Sequence, residues 1–149
     1  MPCHGFSKPA AWRFFTKNKK QTRILYMNIF ICDDNEADIA QIRSYTKIYF
    51  AMEPYDPLVK GFTSGDDLLN DPLIPDIVFL DIEMPGLNGI NTATELIKRN
   101  PSVLIIIVTS HIDYLDDAMK IHVFRYLTKP VEKKRLSRSL ADAVKIYAD

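Results

Sequence analysis

The chain has 149 residues, of which 47% are hydrophobic and 26% charged, so it can bury one ordinary core and we expect one functional domain. Residues 1–26 contain six of the 19 Lys and Arg residues and none of the 19 Asp and Glu residues, so the remainder has a net charge of −6. This acidic balance argues against direct contact of the domain with nucleic acid. The longest apolar run, residues 103–108, is far shorter than the ~20 residues that a membrane span requires, so we expect no membrane segment.

The basic segment over residues 1–26 precedes the first strand of the domain. It lacks the apolar core and the cleavage site of a secretory signal. We interpret it as a poorly ordered N-terminal extension, followed by one domain over residues 27–149. The alternative is a basic arm that contacts nucleic acid or an anionic membrane.

The two cysteines, Cys3 and Cys32, have the spacing of neither a disulfide nor a metal site. Cys32 ends an apolar run, where a small buried thiol fits best. A reduced thiol agrees with a cytoplasmic location, which we therefore expect.

From Met27 onward, short apolar runs alternate with segments whose apolar residues recur every three or four positions, as in strands followed by helices. Asn35 or Asp34 is expected to cap the first helix, and Pro54 and Pro57 to end it. Continuous apolar strands that alternate with helices predict an α/β fold, a doubly wound parallel sheet of five strands. The predicted elements are strand 28–32, helix 36–50, strand 58–62, helix 66–69, strand 77–80, helix 91–99, strand 103–108, helix 114–120, strand 123–127 and helix 132–147.

Candidate site residues follow four of these five strands. Asp33 and Asp34 follow the first strand, Asp81 the third, Thr109 the fourth and Lys129 the fifth. The carboxyl ends of parallel strands meet at one edge of the sheet, which is where open α/β sheets bind ligands. Crowded carboxylates repel one another unless a cation neutralises them. A site made of oxygen ligands, without His or Cys, favours Mg²⁺.

An aspartate beside Mg²⁺, a lysine and a hydroxyl group is chemically a phosphoryl acceptor. Asp81 would attack phosphorus in line, and Lys129 and the metal would stabilise charge on the equatorial oxygens. The product would be an acyl phosphate on Asp81.

Taken together, these motifs resemble the receiver domain of two-component response regulators, over residues 27–149. The resemblance implies a flavodoxin-like (βα)5 fold with strand order 2-1-3-4-5. Its motifs are the acidic pair Asp33-Asp34, the acceptor context Leu80-Asp81-Ile82-Glu83-Met84-Pro85-Gly86-Leu87-Asn88-Gly89, the hydroxyl group of Thr109, and Lys129-Pro130.

The resemblance implies a role for each matching residue. Asp81 would receive its phosphoryl group from a sensor histidine kinase. Asp34, Asp81 and the backbone carbonyl of Glu83 would ligate Mg²⁺, with Asp33 assisting through a water molecule. The phosphoryl group would accept a hydrogen bond from Thr109 and pair with Lys129, whose peptide bond to Pro130 would be cis.

The resemblance also implies a switch in which Tyr126 turns inward as Thr109 moves toward the phosphoryl group. The surface near the fourth helix, fifth strand and fifth helix would then control an output or a homodimer. Residues 123–130 resemble receivers joined to a LytTR-type DNA-binding domain, so we expect a transcriptional output through a domain that the chain does not contain. The domain would be a signalling module that assists its own phosphotransfer and dephosphorylation, rather than an enzyme.

Three other functions are alternatives to this interpretation. An aspartate-nucleophile phosphohydrolase is suggested by Glu83, two residues after Asp81, but the loop that follows gives no cap domain for a substrate. A flavin or nucleotide binder would require a phosphate-binding loop after the first strand, but the chain is acidic at that position. A receiver-like interaction module that is never phosphorylated is the third. His111 and His122 are interpreted as surface or packing residues.

Overall fold

The computed structural model of the chain describes residues 14–15, 24–84 and 88–148. Five longer strands alternate with five helices in this part of the chain, and the predicted α/β class is confirmed. The elements are β1 (Ile24–Cys32), α1 (Glu36–Phe50), β2 (Tyr55–Phe62), α2 (Gly65–Leu69), β3 (Ile77–Leu80), α3 (Gly89–Arg99), β4 (Leu104–Thr109), a 3₁₀ turn (Ile112–Tyr114), α4 (Leu115–Lys120), β5 (Arg125–Thr128) and α5 (Lys133–Ala148).

The five strands form a parallel sheet in the order β2-β1-β3-β4-β5, so the expected order 2-1-3-4-5 is confirmed. The register places Ile31 beside Phe79 and Phe79 beside Ile106, which aligns the carboxyl ends of the three central strands. This alignment brings the loops after β1, β3 and β4 to the same edge of the sheet.

The first strand begins earlier than predicted. β1 starts at Ile24 rather than at residue 28, because its residues from Leu25 onward pair with β2 from Tyr55 onward. A two-residue strand, Phe14–Phe15, pairs antiparallel with Leu25 and Ile24. Most of residues 1–26 lie outside the described residues, so the predicted division into an extension and a domain from residue 27 stays a prediction.

The core has two halves, one on each face of the sheet, because neighbouring residues of a strand point to opposite faces. Ile31 and Phe79 face α1 and α5, whereas Cys32 and Leu80 face α2, α3 and α4. All four residues of β3 are buried, as its uninterrupted apolar sequence predicted. The site at the end of β3 therefore rests on a strand that is packed on both sides.

Each of the described helices is too short or too polar to cross a bilayer.

Candidate functional site

Two buried aspartates stand directly after neighbouring strands. The backbone amide of Asp33 donates to Phe62 O at 3.0 Å, and that of Asp81 donates to Cys32 O at 3.0 Å. These bonds carry the sheet pairing one residue beyond β1 and β3, so both aspartates are held by the sheet itself. Asp34 follows Asp33 and is exposed. Ligand oxygens of Asp33, Asp34 and Asp81 all lie within 4.8 Å of one another.

The turn from β1 into α1 fixes the orientation of Asp33. The side chain of Asn35 caps α1 and accepts hydrogen bonds from the amides of Ala37 at 2.9 Å and Asp38 at 3.3 Å. The amide of Asn35 in turn donates to Asp33 Oδ1 at 2.9 Å. One oxygen of Asp33 is thereby occupied by the backbone, and Oδ2 is left to face the site.

Lys129 contacts three carboxylates. Its Nζ lies 2.7 Å from Asp33 Oδ2, 2.8 Å from Asp38 Oδ2 and 3.0 Å from Asp81 Oδ2. Burial by itself would lower the pKa of Lys129, but the hydrogen bonds to these three carboxylates outweigh it and raise the pKa well above its usual range. Lys129 is therefore a fixed positive charge in the middle of the acidic cluster.

The loop after β5 places Lys129 at this edge. The backbone amide of Lys129 donates to Thr109 O at 2.9 Å, one residue beyond the last paired residues of β4 and β5. The peptide bond between Lys129 and Pro130 is cis, as the resemblance implied.

The acidic cluster has the ligand chemistry of a hard divalent cation. Burial raises the pKa of Asp33, while the hydrogen bonds from Lys129 and from the Asn35 amide oppose that rise. A cation that ligates these oxygens would offset the same cost of burial. The three aspartates offer carboxylate oxygens, which are the preferred ligands of Mg²⁺.

Cys32 lies next to the acidic cluster but is not part of it. It is buried, as predicted, and its Sγ contacts Met84 Sδ at 3.6 Å. Burial, with the negative charges of Asp33 and Asp81, raises the pKa of Cys32 to about 12. Among the described residues, the side chains whose ligand atoms could together hold a metal ion are Asp33, Asp34 and Asp81, and Cys32 is not one of them.

Thr109 and Tyr126 are linked through His111 rather than to each other. The hydroxyl oxygen of the buried Thr109 accepts a hydrogen bond from the His111 amide at 3.3 Å. The hydroxyl group of Tyr126 donates to the backbone carbonyl of His111. The segment after β4 therefore contacts both residues of the predicted switch.

Two contacts at the site were not predicted from the sequence. His111 Nε2 lies 3.0 Å from Glu83 Oε1, so the loops after β3 and β4 touch beside Asp81. His111 is at the surface, as interpreted, but its partner depends on the loop conformations, which no sequence pattern signalled. The second contact is that of Asp38 with Lys129. The sequence contains one indication of it, because Asp38 lies four residues after Asp34, on the helix that begins at the site.

Gly89 supports the loop after Asp81 through a close approach of two backbones. Its amide donates to Ile82 O at 2.8 Å, and a Cβ atom at this position would lie 2.2 Å from the carbonyl oxygen of Asp81. A side chain of any size would therefore push α3 away from the backbone of Asp81.

We predict that Gly89→Ala lowers the free energy of unfolding by about 1–3 kcal/mol, because the added methyl group overpacks the loop. Mg²⁺ binding should weaken in parallel, since Asp81 would shift. Chemical denaturation and a Mg²⁺ titration measure the two effects. Asn91→Ala, at an exposed position of the same helix, is the control that should leave both unchanged. A Gly89→Ala protein as stable as the wild type would show that the loop can move without cost.

A doubly wound parallel sheet whose carboxyl edge carries aspartates, a lysine and a buried hydroxyl group defines an α/β domain of the phosphoacceptor class. The family model of the response regulator receiver domain matches residues 29–141. The chain therefore belongs to the receiver domains of two-component response regulators, a family of signalling domains rather than of enzymes.

Curated relatives and solved structures agree with this family. The positive alginate biosynthesis regulatory protein of Pseudomonas aeruginosa is 34% identical over 119 residues, which are 78% of this chain and 47% of the relative. The sensory transduction protein LytT of Bacillus subtilis is 32% identical over 75 residues, 50% of this chain and 31% of LytT. The chain thus spans half or less of the length of these relatives.

The fold is also found in solved receiver domains. The response regulatory domain of mrkE from Klebsiella pneumoniae superposes with a TM-score of 0.71 at 20% identity, covering 82% of this chain and 98% of that one. At this identity the likeness concerns the fold, and it agrees with the strand order described above.

Proposed function

We propose that Asp81 accepts a phosphoryl group from a sensor histidine kinase in a Mg²⁺-dependent reaction, and that the domain then switches conformation. The observation that carries the proposal is the contact of Lys129 Nζ with Asp81 Oδ2 at 3.0 Å, within a cluster of carboxylates that suits a divalent cation. A structural aspartate would need neither the lysine nor the two neighbouring acids.

Asp34, Asp81 and the backbone carbonyl of Glu83 would hold the Mg²⁺ ion, and Asp33 would assist through a water molecule. When bound, the ion supplies positive charge that neutralises the phosphoryl oxygens. Asp33 and Asp81 are buried at the ends of β1 and β3, so two of these residues are held rigidly by the sheet.

The protein groups around Asp81 are suited to phosphoryl transfer. Oδ1 of Asp81 accepts a hydrogen bond from the Glu83 amide at 3.2 Å, which orients the carboxylate. One Asp81 oxygen would form a bond to phosphorus as the bond from phosphorus to the histidine nitrogen of the kinase breaks. Lys129 would pair with a phosphoryl oxygen, and the hydroxyl group of Thr109 would donate to another. The domain would assist the later hydrolysis of the acyl phosphate with the same groups.

The response would reach the surface through Thr109 and Tyr126. Movement of Thr109 toward the phosphoryl group would pull on His111, whose amide and carbonyl contact both switch residues. Tyr126 would then turn inward and reshape the face formed by α4, β5 and α5.

The face formed by α4, β5 and α5 has the composition of an interface. Ile112, Leu115 and Met119 are 64%, 42% and 60% exposed on or beside α4. An ion pair joins Arg125 of β5 to Asp142 of α5 at 3.1 Å. We assign this face to a homodimer or to an output domain.

The output would be transcription, through a DNA-binding domain of the LytTR type in a longer protein. The segment over residues 123–130 and the match to LytT support this assignment. The receiver domain itself, with its acidic balance, would make no direct contact with nucleic acid, and it would act in the cytoplasm beside its kinase.

The proposal is tested by measuring intact mass after incubation with acetyl phosphate, a small-molecule phosphoryl donor, with and without Mg²⁺. We expect a single phosphoryl adduct that requires Mg²⁺ and that EDTA prevents. A wild-type protein that gains no adduct under either condition would favour the unphosphorylated interaction module instead.

A further inference from the structure

The ammonium group of Lys129 has one carboxylate partner for each of its N–H donors. An ammonium group has three N–H donors, and Nζ of Lys129 contacts three different carboxylates at 2.7–3.0 Å. Asp33 and Asp81 belong to the proposed metal and acceptor site. Asp38 comes from the first turn of α1 and lies outside the set of metal-ligating aspartates. The function proposed above assigns no role to Asp38.

The phosphoryl group and the three carboxylates compete for the same donors. If Lys129 pairs with a phosphoryl oxygen, at least one of its present contacts must be released or shared. The carboxylate whose release costs least is the one that water can solvate, because a buried carboxylate without a partner is strongly destabilising. The side-chain exposures are 2% for Asp33, 8% for Asp81 and 32% for Asp38. Asp38 is therefore the carboxylate that Lys129 releases most easily.

The surroundings of Asp38 allow this release without disturbing the helix. Its backbone amide is held by Asn35, through the carbonyl at 3.1 Å and the side chain at 3.3 Å, independently of Lys129. A cavity of about 430 Å³ opens beside Asp38 and Lys129, bordered by Gln41 and Ser110. The Asp38 carboxylate can turn into this space while the backbone of α1 stays in place.

We propose that Asp38 is a positioning residue that holds Lys129 in the unphosphorylated domain and competes with the incoming phosphoryl group for it. The proposal rests on the function assigned to Asp81 and Lys129 above. Asp38 neither ligates the metal nor touches phosphorus in this scheme. It sets how readily Lys129 turns to the phosphoryl group.

The test compares Asp38→Asn with Glu36→Gln at saturating Mg²⁺. Both substitutions remove one negative charge from the first turn of α1, but the exposed Glu36 has no contact with Lys129 in the described structure. We expect Asp38→Asn to be phosphorylated by acetyl phosphate about 2- to 5-fold faster than the wild type, as expected for loss of a partly exposed ion pair. Glu36→Gln should show a markedly smaller change.

A second readout separates positioning from general electrostatics. The probe is beryllofluoride, a phosphoryl mimic, titrated at saturating Mg²⁺, with Mg²⁺ titrated alone in parallel. We expect Asp38→Asn to bind beryllofluoride more tightly than the wild type does, but to bind Mg²⁺ no more tightly. The reason is that the freed N–H group of Lys129 can donate to the oxygens or fluorines of a phosphoryl group or its mimic, but not to a metal ion. Asp38→Ala should behave in the same way, and thermal unfolding confirms that each variant is folded.

The outcomes separate this proposal from the function on which it rests. A wild-type protein that takes up no phosphoryl group overturns the function itself. Given an active wild type, Asp38→Asn and Asp38→Ala proteins that react at the rate of Glu36→Gln, or more slowly than the wild type, overturn the role of Asp38 alone.

Discussion

Asp81→Asn is expected to abolish phosphorylation by acetyl phosphate while the domain stays folded. The amide has nearly the same shape as the carboxylate but lacks the anionic oxygen that attacks phosphorus. Lys129 would keep Asp33 and Asp38 as partners, so its charge stays paired and the fold should tolerate the change. Intact mass measures the adduct, and thermal unfolding measures the fold.

Glu95→Gln is the control for this substitution. Glu95 is a partly exposed acid on α3 whose partner is Arg99, one turn away, so its variant should be labelled as the wild type is. If the Asp81→Asn protein acquired a lasting phosphoryl adduct, the acceptor would have to be another residue.

Lys129→Ala is expected to slow phosphorylation about 100-fold or more, the usual cost of removing one charged donor from a developing oxyanion. The same change leaves Asp33, Asp38 and Asp81 without their shared cation. Without Mg²⁺ this should lower the free energy of unfolding by about 3 kcal/mol, since two of the three carboxylates are buried. Added Mg²⁺ should restore much of the loss, because it neutralises the same charges.

Three measurements check this pattern: the rate of adduct formation, the unfolding midpoint with and without Mg²⁺, and the shift of that midpoint by beryllofluoride. Lys133→Ala, at an exposed position at the start of α5, should match the wild type in all three. A Lys129→Ala protein whose unfolding midpoint still rises with beryllofluoride as the wild type's does would remove Lys129 from the response.

Elements with strong local signals were predictable in detail. α1 spans Glu36–Phe50 as predicted, because Asn35 caps its first turn and its apolar residues keep a helical period. β3 also has the predicted bounds, since four consecutive apolar residues precede a charged one. The order of the strands came from the resemblance to a family, because periodicity does not specify which strands are neighbours.

Local signals failed where tertiary pairing decided the outcome. β2 begins at Tyr55 and contains Pro57, which was expected only to end the preceding helix. β2 pairs with β1 alone in the described sheet, and an edge strand tolerates proline because its outer side needs no N–H donor. β1 likewise begins earlier than predicted because its first residues pair with β2.

The acidic cluster and Lys129 could be brought together from sequence because each follows a strand of one parallel sheet. The position of Asp38 at the start of α1 indicates that it lies near this edge, but its contact with Lys129 depends on how α1 lies across the loop after β5. The pair of Glu83 with His111 likewise depends on two loop conformations. Strand ends are specified by the sheet, whereas contacts of helices and loops with them follow from packing.

The burial of Cys32 has a consequence for signalling under oxidative stress. Oxidants and alkylating agents attack the thiolate, and a thiol whose pKa is raised to about 12 is almost entirely protonated at neutral pH. The buried sulfur atom of Cys32, which directly precedes Asp33 in the chain, is therefore expected to react slowly with peroxide. Any redox control of this domain would therefore have to act through residues other than Cys32.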